Sequence, residues 1–367
     1  MSADVAVRRP AAEPLPARPR ALRRLTPGHV VALLGLLALA ALPAAFGDFG
    51  FFVGQYVMVY AMVGLSVVVV TGYAGLISLM PYSFAGVGAM VTGAAMASWG
   101  WPFWLAAPLA AVATVPVSVI VGAASVRLRG LYLAIATLTA ADFLGETFFR
   151  WDAATGGETG WTVTRPALGP IDLSGDPAFY LLTLVAAGLL VWMVEGLRTS
   201  RLGRAMYAVR DNEIEAQALG INVFKTKLVA LVIGGMLAGL GGAFLAALLV
   251  TSAPSPFWSP VVQATSILFV TLVAIGGIDR ALGAFFGALV VVVQQQIFGG
   301  AEFFFAFVGI YAALLLIVLL RFRPGGLVQI GRMQWQLIQR RPAVGTAVAV
   351  GVIAVNVGLA WLFVGLS

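Results

Sequence analysis

Cysteine is absent from this 367-residue chain, histidine occurs once, and lysine appears only at Lys225 and Lys227. Without cysteine there is no disulfide, no thiolate metal site and no cysteine nucleophile, while the compartment stays open. His29 stands alone at the entrance to the first apolar run, so a metal site is excluded too. Neither lysine follows a glycine, and no GxxxxGKS/T loop exists to cradle nucleotide phosphates. Charge of either sign is scarce: 10% of residues are charged against 61% hydrophobic, and the mean hydropathy is +0.99. No soluble core hides that much apolar surface, so a soluble globular domain is excluded.

What the chain has instead is long apolar runs. Stretches of about 17–25 residues are long enough to cross a bilayer. Eleven such runs are expected, at 30–46, 51–71, 84–99, 102–126, 131–149, 178–197, 226–250, 260–276, 282–298, 303–320 and 343–365. The Arg- and Pro-rich residues 1–29 read as a disordered basic tail, and without a clear small-x-small cleavage site the first run reads as a retained signal-anchor. With the N-terminus placed in the cytoplasm and the runs alternating, 20 of the 22 basic residues fall on the inner side, leaving Arg150 and Arg165 outside. Such asymmetry is the positive-inside pattern. The net charge of +7 is therefore a matter of topology and anionic lipid rather than nucleic acid. The expected fold class is an all-α polytopic membrane protein, ten core spans and one additional C-terminal span. Its divisions are the tail 1–29, a transmembrane domain 30–327, a basic linker 328–342 and the additional span at 343–367.

The most informative polar piece is 198–227, which carries four Arg and both lysines. It reads as two short amphipathic helices on the inner surface. Asn212 and Glu215 have the spacing of a capping box, and Gly220 stands where a helix end takes a left-handed residue. A multi-span protein has no structural need for so ordered a loop, so an external partner is expected to grip it. The Gly-interrupted stretch 72–85, closed by Pro81, reads as a broken or re-entrant element, which is tolerated only where protein or a cavity satisfies its backbone. Glycine-rich runs at 234–247 and 283–288 read chiefly as close helix packing in lipid.

Several blocks occur in one order: GYAGLISL at 72–79, FAGVGAM at 84–90, RLRGLYLAIATL at 127–138 and TGGETG at 155–160. The block from Ser200 through Gly235, AIGGIDRALGAFFGA at 274–288 and RPGGL at 323–327 follow. Together they resemble the LivM-type permease of branched-chain amino acid ABC importers, over roughly 50–330. The resemblance implies an ABC-importer permease core. It also implies a coupling loop containing Arg204, Asp211, Glu213, Glu215, Ala216 and Gly220 that docks in a groove of a cytoplasmic ATPase. The chain itself then has no cofactor and no enzymatic activity; ATP and magnesium belong to two partner ATPase subunits. A second homologous permease subunit, as a heterodimer, and an extracytoplasmic solute-binding protein complete the implied assembly, in a bacterial inner membrane. The sequence departs from the family at Met80-Pro81, at Ile278-Asp279-Arg280 and in the additional span after RPGGL.

Thr71, Tyr73, Ser78, Pro81, Thr137 and Thr139 are the candidate pathway-lining residues, each hydroxyl weighed against a bond to its own helix backbone. Thr155, Gly156 and Gly157 are candidates for receptor contact, if the Gly-rich turn exposes its backbone N–H groups; a solvated hairpin is the alternative. Asp142 and Glu146, one helical turn apart, read either as an ion relay in a secondary transporter or as carboxylates held at the outer end of a span. The expected solute is a branched-chain or other hydrophobic amino acid, with urea, short amides and aromatic acids as alternatives.

Overall fold

The computed structural model describes Gly47 and residues 49–298, apart from 129, 169–170, 173–174 and 259–260. The expected spans at 30–46, 303–320 and 343–365, the basic tail and the linker lie outside the described residues.

Helices dominate. Helix α1 (Phe49–Tyr73) ends in a π-helical turn, Val68–Tyr73. Then follow α2 (Pro81–Trp99), α3 (Phe103–Ser125), α4 (Leu131–Glu146) and the short α5 (Asp152–Thr155). After α6 (Asp176–Thr199) come two surface helices, α7 (Arg201–Asp211) and α8 (Glu213–Ala218). The long α9 (Val223–Leu249) precedes α10 (Val261–Gly276) and α11 (Ala281–Phe298). Four two-residue strands, β1 (Trp161–Thr162), β2 (Ala167–Leu168), β3 (Ile171–Asp172) and β4 (Thr251–Ser252), form two small antiparallel pairs.

Among the described residues five helices are long and apolar enough to cross a membrane: α1, α3, α4 with its following turn, α6 and α9. Three expected spans look different from the sequence reading. The 84–99 run is a helix, α2, but it falls short of that apolarity. Its surface is mostly Gly, Ala, Ser and Thr buried against protein, so it does not need lipid-grade side chains. The 260–276 and 282–298 runs form α10 and α11, joined by a bend of 114° after Gly276, and count together as at most a sixth span. Glycine sets the bend: Gly277 has φ +119°, and a Cβ at Gly276 or Gly283 would collide with backbone carbonyls of the opposite arm.

The core is a three-helix contact of α9 with α2 and α3. A Cβ added at Gly88 of α2 would lie 2.6 Å from the Cα of Gly239, and one at Gly239 would lie 2.6 Å from Thr114 of α3. Small residues let backbones meet in lipid, where apolar side chains gain little by leaving the solvent. The glycine-rich run of 234–247 is this seam.

Long-range polar contacts sort the loops to two ends. At one end β1 pairs with β4, Trp161 opposite Ser252. There too the Trp258 indole donates to the Phe149 carbonyl (3.0 Å), and the Gln55 amide to the Asp176 carbonyl (3.1 Å). At the opposite end Tyr73 donates to the Val194 carbonyl (3.4 Å), and Glu195 accepts from the Ala281 amide (3.2 Å). Arg210 there pairs with Asp279 (2.5 Å). Segments 150–177 and 251–258 thus share one end, and 72–80, 198–227 and 277–281 the other. Alternation of the eleven apolar runs expected from the sequence groups these loops in the same way.

Candidate functional site

The surface pair α7–α8 is built by caps. The Ser200 hydroxyl accepts from the Gly203 amide (3.1 Å) to start α7, which then buries Gly203, Met206 and Val209 along one stripe. Asn212 stops α7 and starts α8. Its Oδ1 accepts from the amides of Ile214 (3.0 Å) and Glu215 (3.4 Å), while its Nδ2 donates to Glu215 Oε1 (2.8 Å). The C-terminus closes as a Schellman turn: the Gly220 amide donates to Gln217 O (2.9 Å), and the Ile221 amide to Ala216 O (3.0 Å). Gly220 at φ +80° is the left-handed residue this turn requires. Beneath the turn, Val209, Ala216 and Val223 form a small apolar cluster with Ala208 and Ile221 against them.

One ion pair fastens α8 to the membrane bundle. Lys227, in the opening turns of α9, is 3% exposed. Its ammonium donates to Glu213 Oε1 at 2.6 Å. A cation so enclosed is costly unless paired, so this contact fixes where α8 lies relative to α9.

The coupling candidates therefore divide. Arg204, Asp211, Glu215 and Gly220 are exposed, with Arg204 also donating to the Thr199 carbonyl (2.8 Å). Glu213 is half-buried on Lys227, and Ala216 lies underneath, 1% exposed. Two residues that sequence reasoning passed over stand out instead: Ile214 is 72% exposed and Leu219 79% exposed. On a helical wheel Ile214 lies about 160° from Ala216, so the buried position of one predicts the exposure of the other. Large apolar side chains on an otherwise polar surface mark a contact site rather than a solvated face.

The break between α1 and α2 is a non-helical segment held by side chains. The Thr71 hydroxyl donates to the Leu76 carbonyl (2.9 Å), and the Leu79 amide donates to Thr137 Oγ1 on α4 (3.0 Å). Pro81 starts α2, where its missing N–H leaves nothing unpaired. Ser78 and Tyr73 are buried within this single chain; the Tyr73 ring packs on Tyr207 of α7 at 5.3 Å. Burial raises the Tyr207 phenol above its usual range, with positive charge from Arg198 opposing the shift. Thr137 thus joins the break, whereas Thr139 points to the open face of α4 and bonds its own helix at the Ile135 carbonyl (3.0 Å).

Asp142 and Glu146 have separate partners. Asp142 accepts from the Gln263 amide on α10 (2.9 Å), and Glu146 pairs with Arg150 one turn on (3.0 Å). In the 155–160 turn the expected exposure of backbone donors does not hold. Gly156 and Gly157 both donate to the Asp152 carbonyl (2.8 and 3.3 Å), and Gly160 donates to Gly157 (3.0 Å). The positive φ of these glycines folds the N–H groups inward, and Thr155 is buried with its hydroxyl on the Trp151 carbonyl.

The family described as branched-chain amino acid transport system / permease component matches residues 51–320. The chain belongs to this family. It is 27% identical over 304 residues to the high-affinity branched-chain amino acid transport system permease protein LivM of Salmonella typhimurium, covering 76% of this chain and 70% of that protein. LivM of Escherichia coli aligns with 27% identity over the same 304-residue length. A shorter stretch of 131 residues is 30% identical to the xylose transport system permease protein XylH of Haemophilus influenzae, covering 34% of each chain. No solved structure matches. As an ABC-type permease of the branched-chain amino acid transport family, the chain carries α7–α8, the 72–80 break and the α10–α11 bend all inside the matched region.

Proposed function

We propose that this chain forms half of the translocation pathway of an ATP-driven importer, with branched-chain or other hydrophobic amino acids as the solute. The observation that carries the reading is the α7–α8 pair: capped at each terminus, pinned to α9 by Lys227–Glu213, and presenting Ile214 and Leu219 to the outside. A loop so ordered and so apolar at its tip suits a groove on a cytoplasmic ATPase. Two such ATPases bind and hydrolyse ATP with magnesium, because this sequence has no phosphate-binding loop of its own.

The excess of Arg on the side of 198–227 supports a cytoplasmic location for α7–α8 and for the N-terminus, and an external one for 150–177. The external loops are where a solute-binding protein docks, and a second homologous permease subunit closes the pathway. A bacterial inner membrane fits all these parts. The family name and the two LivM relatives support an amino acid as solute, while the XylH relative shows that similarity over a third of the chain extends to a permease named for a sugar.

Co-purification tests the docking. Coexpressed with ATPase subunits from its own gene neighbourhood, the wild-type chain is expected to retain them through detergent extraction. Ile214→Glu with Leu219→Glu is expected to lose them while still inserting. Retention by the double variant at wild-type levels refutes α8 as the docking element.

A further inference from the structure

One arginine touches both interruptions of the helical bundle. Arg210 lies in the last turn of α7, and its Nη1 donates to the Gly72 carbonyl in the π turn that ends α1. The same nitrogen pairs with Asp279 Oδ1 at 2.5 Å, in the turn that bends α10 into α11. The carbonyls at a helix C-terminus lack intrahelical partners, and a cation is the favourable group to meet them there. The arginine stem also seats the break: Gly75 has φ +70°, and a Cβ there would lie 2.8 Å from Arg210 Cγ. The two interruptions touch each other beneath it, since a Cβ at Gly72 would collide with the Ile278 carbonyl.

A second set of contacts ties the same turn to the helix that leads into α7. Glu195, near the end of α6, accepts from the Ala281 amide at 3.2 Å, at the start of α11. It also faces Arg280 at 3.9 Å and Arg198 at 3.5 Å. The turn 277–281 is therefore held between the end of α6 and the end of α7.

Stability does not explain the Arg210 contact. The pair is open to water, with Arg210 32% and Asp279 57% exposed, and exposed ion pairs add little to folding. What it fixes is relative position. We propose that Arg210, with Asp279 as its counter-charge, is a positioning residue that locks the surface helices to both interruptions. Displacement of α7–α8 then moves the 72–80 break and the 277–280 turn as one unit. This rests on the reading of α7–α8 as the ATPase contact. Packed elements respond to small displacements by switching arrangement rather than deforming smoothly, so such a link carries motion from the surface into the bundle.

The test separates ATP hydrolysis from transport in proteoliposomes holding the full assembly, with leucine as the probe. Asp279→Arg and Arg210→Glu are each expected to lower uptake per ATP hydrolysed at least tenfold, with co-purified ATPases and hydrolysis within twofold of wild type. Arg210→Lys, which keeps a charged donor for the Gly72 carbonyl and Asp279, is expected to hold uptake per ATP at least fivefold above Arg210→Glu. Asp279→Asn, which removes the charge with almost no change of shape, is expected to lower uptake per ATP at least threefold and serves if charge reversal prevents assembly. Unchanged uptake per ATP in Asp279→Asn and in both assembled reversals overturns the positioning role, as does an assembled Arg210→Lys chain no better than Arg210→Glu. A wild-type chain that retains no ATPase overturns the docking reading itself, and the positioning role with it.

Discussion

Replacing Glu213 by Ala isolates the anchor of α8. Lys227 would stay 3% exposed, with its ammonium enclosed and its carboxylate partner gone. Removing one member of a buried pair costs about 3–5 kcal/mol, mostly as the penalty on the charge left behind. Glu213 is 24% exposed in its side chain, so water reaches the pair from one side and the expected cost falls to about 2–3 kcal/mol. Local opening of α8 should then be about 30 to 140 times more frequent, at about 1.4 kcal/mol per factor of ten. Hydrogen exchange reads this directly at the Ala216, Leu219, Gly220 and Ile221 amides, all donors in the cap and turn of α8. Their protection should fall by that factor while the 234–247 amides of α9 keep theirs. Adding Lys227→Met, which removes the stranded charge, should restore most of the protection. Protection unchanged within threefold in Glu213→Ala would refute the anchor.

The chain has no cysteine, so single cysteines at Ala153 and Gln217 should be labelled by an impermeant thiol reagent from opposite faces of the membrane. Labelling from one face would refute the two-end arrangement. Gly220 at φ +80° has open space around its absent Cβ, so Gly220→Ala should cost only the left-handed backbone strain, about 1–2 kcal/mol, seen as faster exchange at Ile221. Gly220→Pro or Glu215→Arg should insert normally yet lose uptake and ATPase co-purification; normal uptake by both would exclude a coupling role for these residues. A Cβ at Gly242 would lie 2.6 Å from the Ala85 carbonyl carbon, so Gly242→Val should part α9 from α2 and lower the melting temperature of the detergent-purified protein. An unchanged melting temperature would contradict the glycine seam.

The surface loop was legible because caps are local chemistry. Asn212, Glu215 and Gly220 act within a few residues of themselves, and the structure finds each in the expected position; the Ser200 cap of α7 is equally local. The glycine seam was legible in kind, since only close packing explains so many small residues, but its partners were not, because Gly88 meeting Gly239 is set by tertiary contact. How successive apolar runs are joined was not legible, because hydropathy carries no direction. Apolar runs at 260–276 and 282–298 look like independent spans, and only the geometry at Gly276, Gly277 and Gly283 shows them bent against each other. The sequence left two readings of the 155–160 turn for a related reason: glycines release backbone donors only when the fold has no carbonyl for them, and here Asp152 supplies one. Asp279 and Arg280, a departure from the family pattern in the sequence, gained meaning only from Arg210 and Glu195, far away along the chain.

We propose that transport through this chain is driven by ATP hydrolysed on partner subunits. Uptake of radiolabelled leucine into proteoliposomes tests it most directly, with the chain present alongside its second permease, ATPases and binding protein. The account predicts uptake that requires ATP on the ATPase side, is unaffected by collapse of ion gradients, and vanishes when the ATPases are left out. Leucine uptake that persists without ATPases and follows an imposed proton or sodium gradient would contradict it.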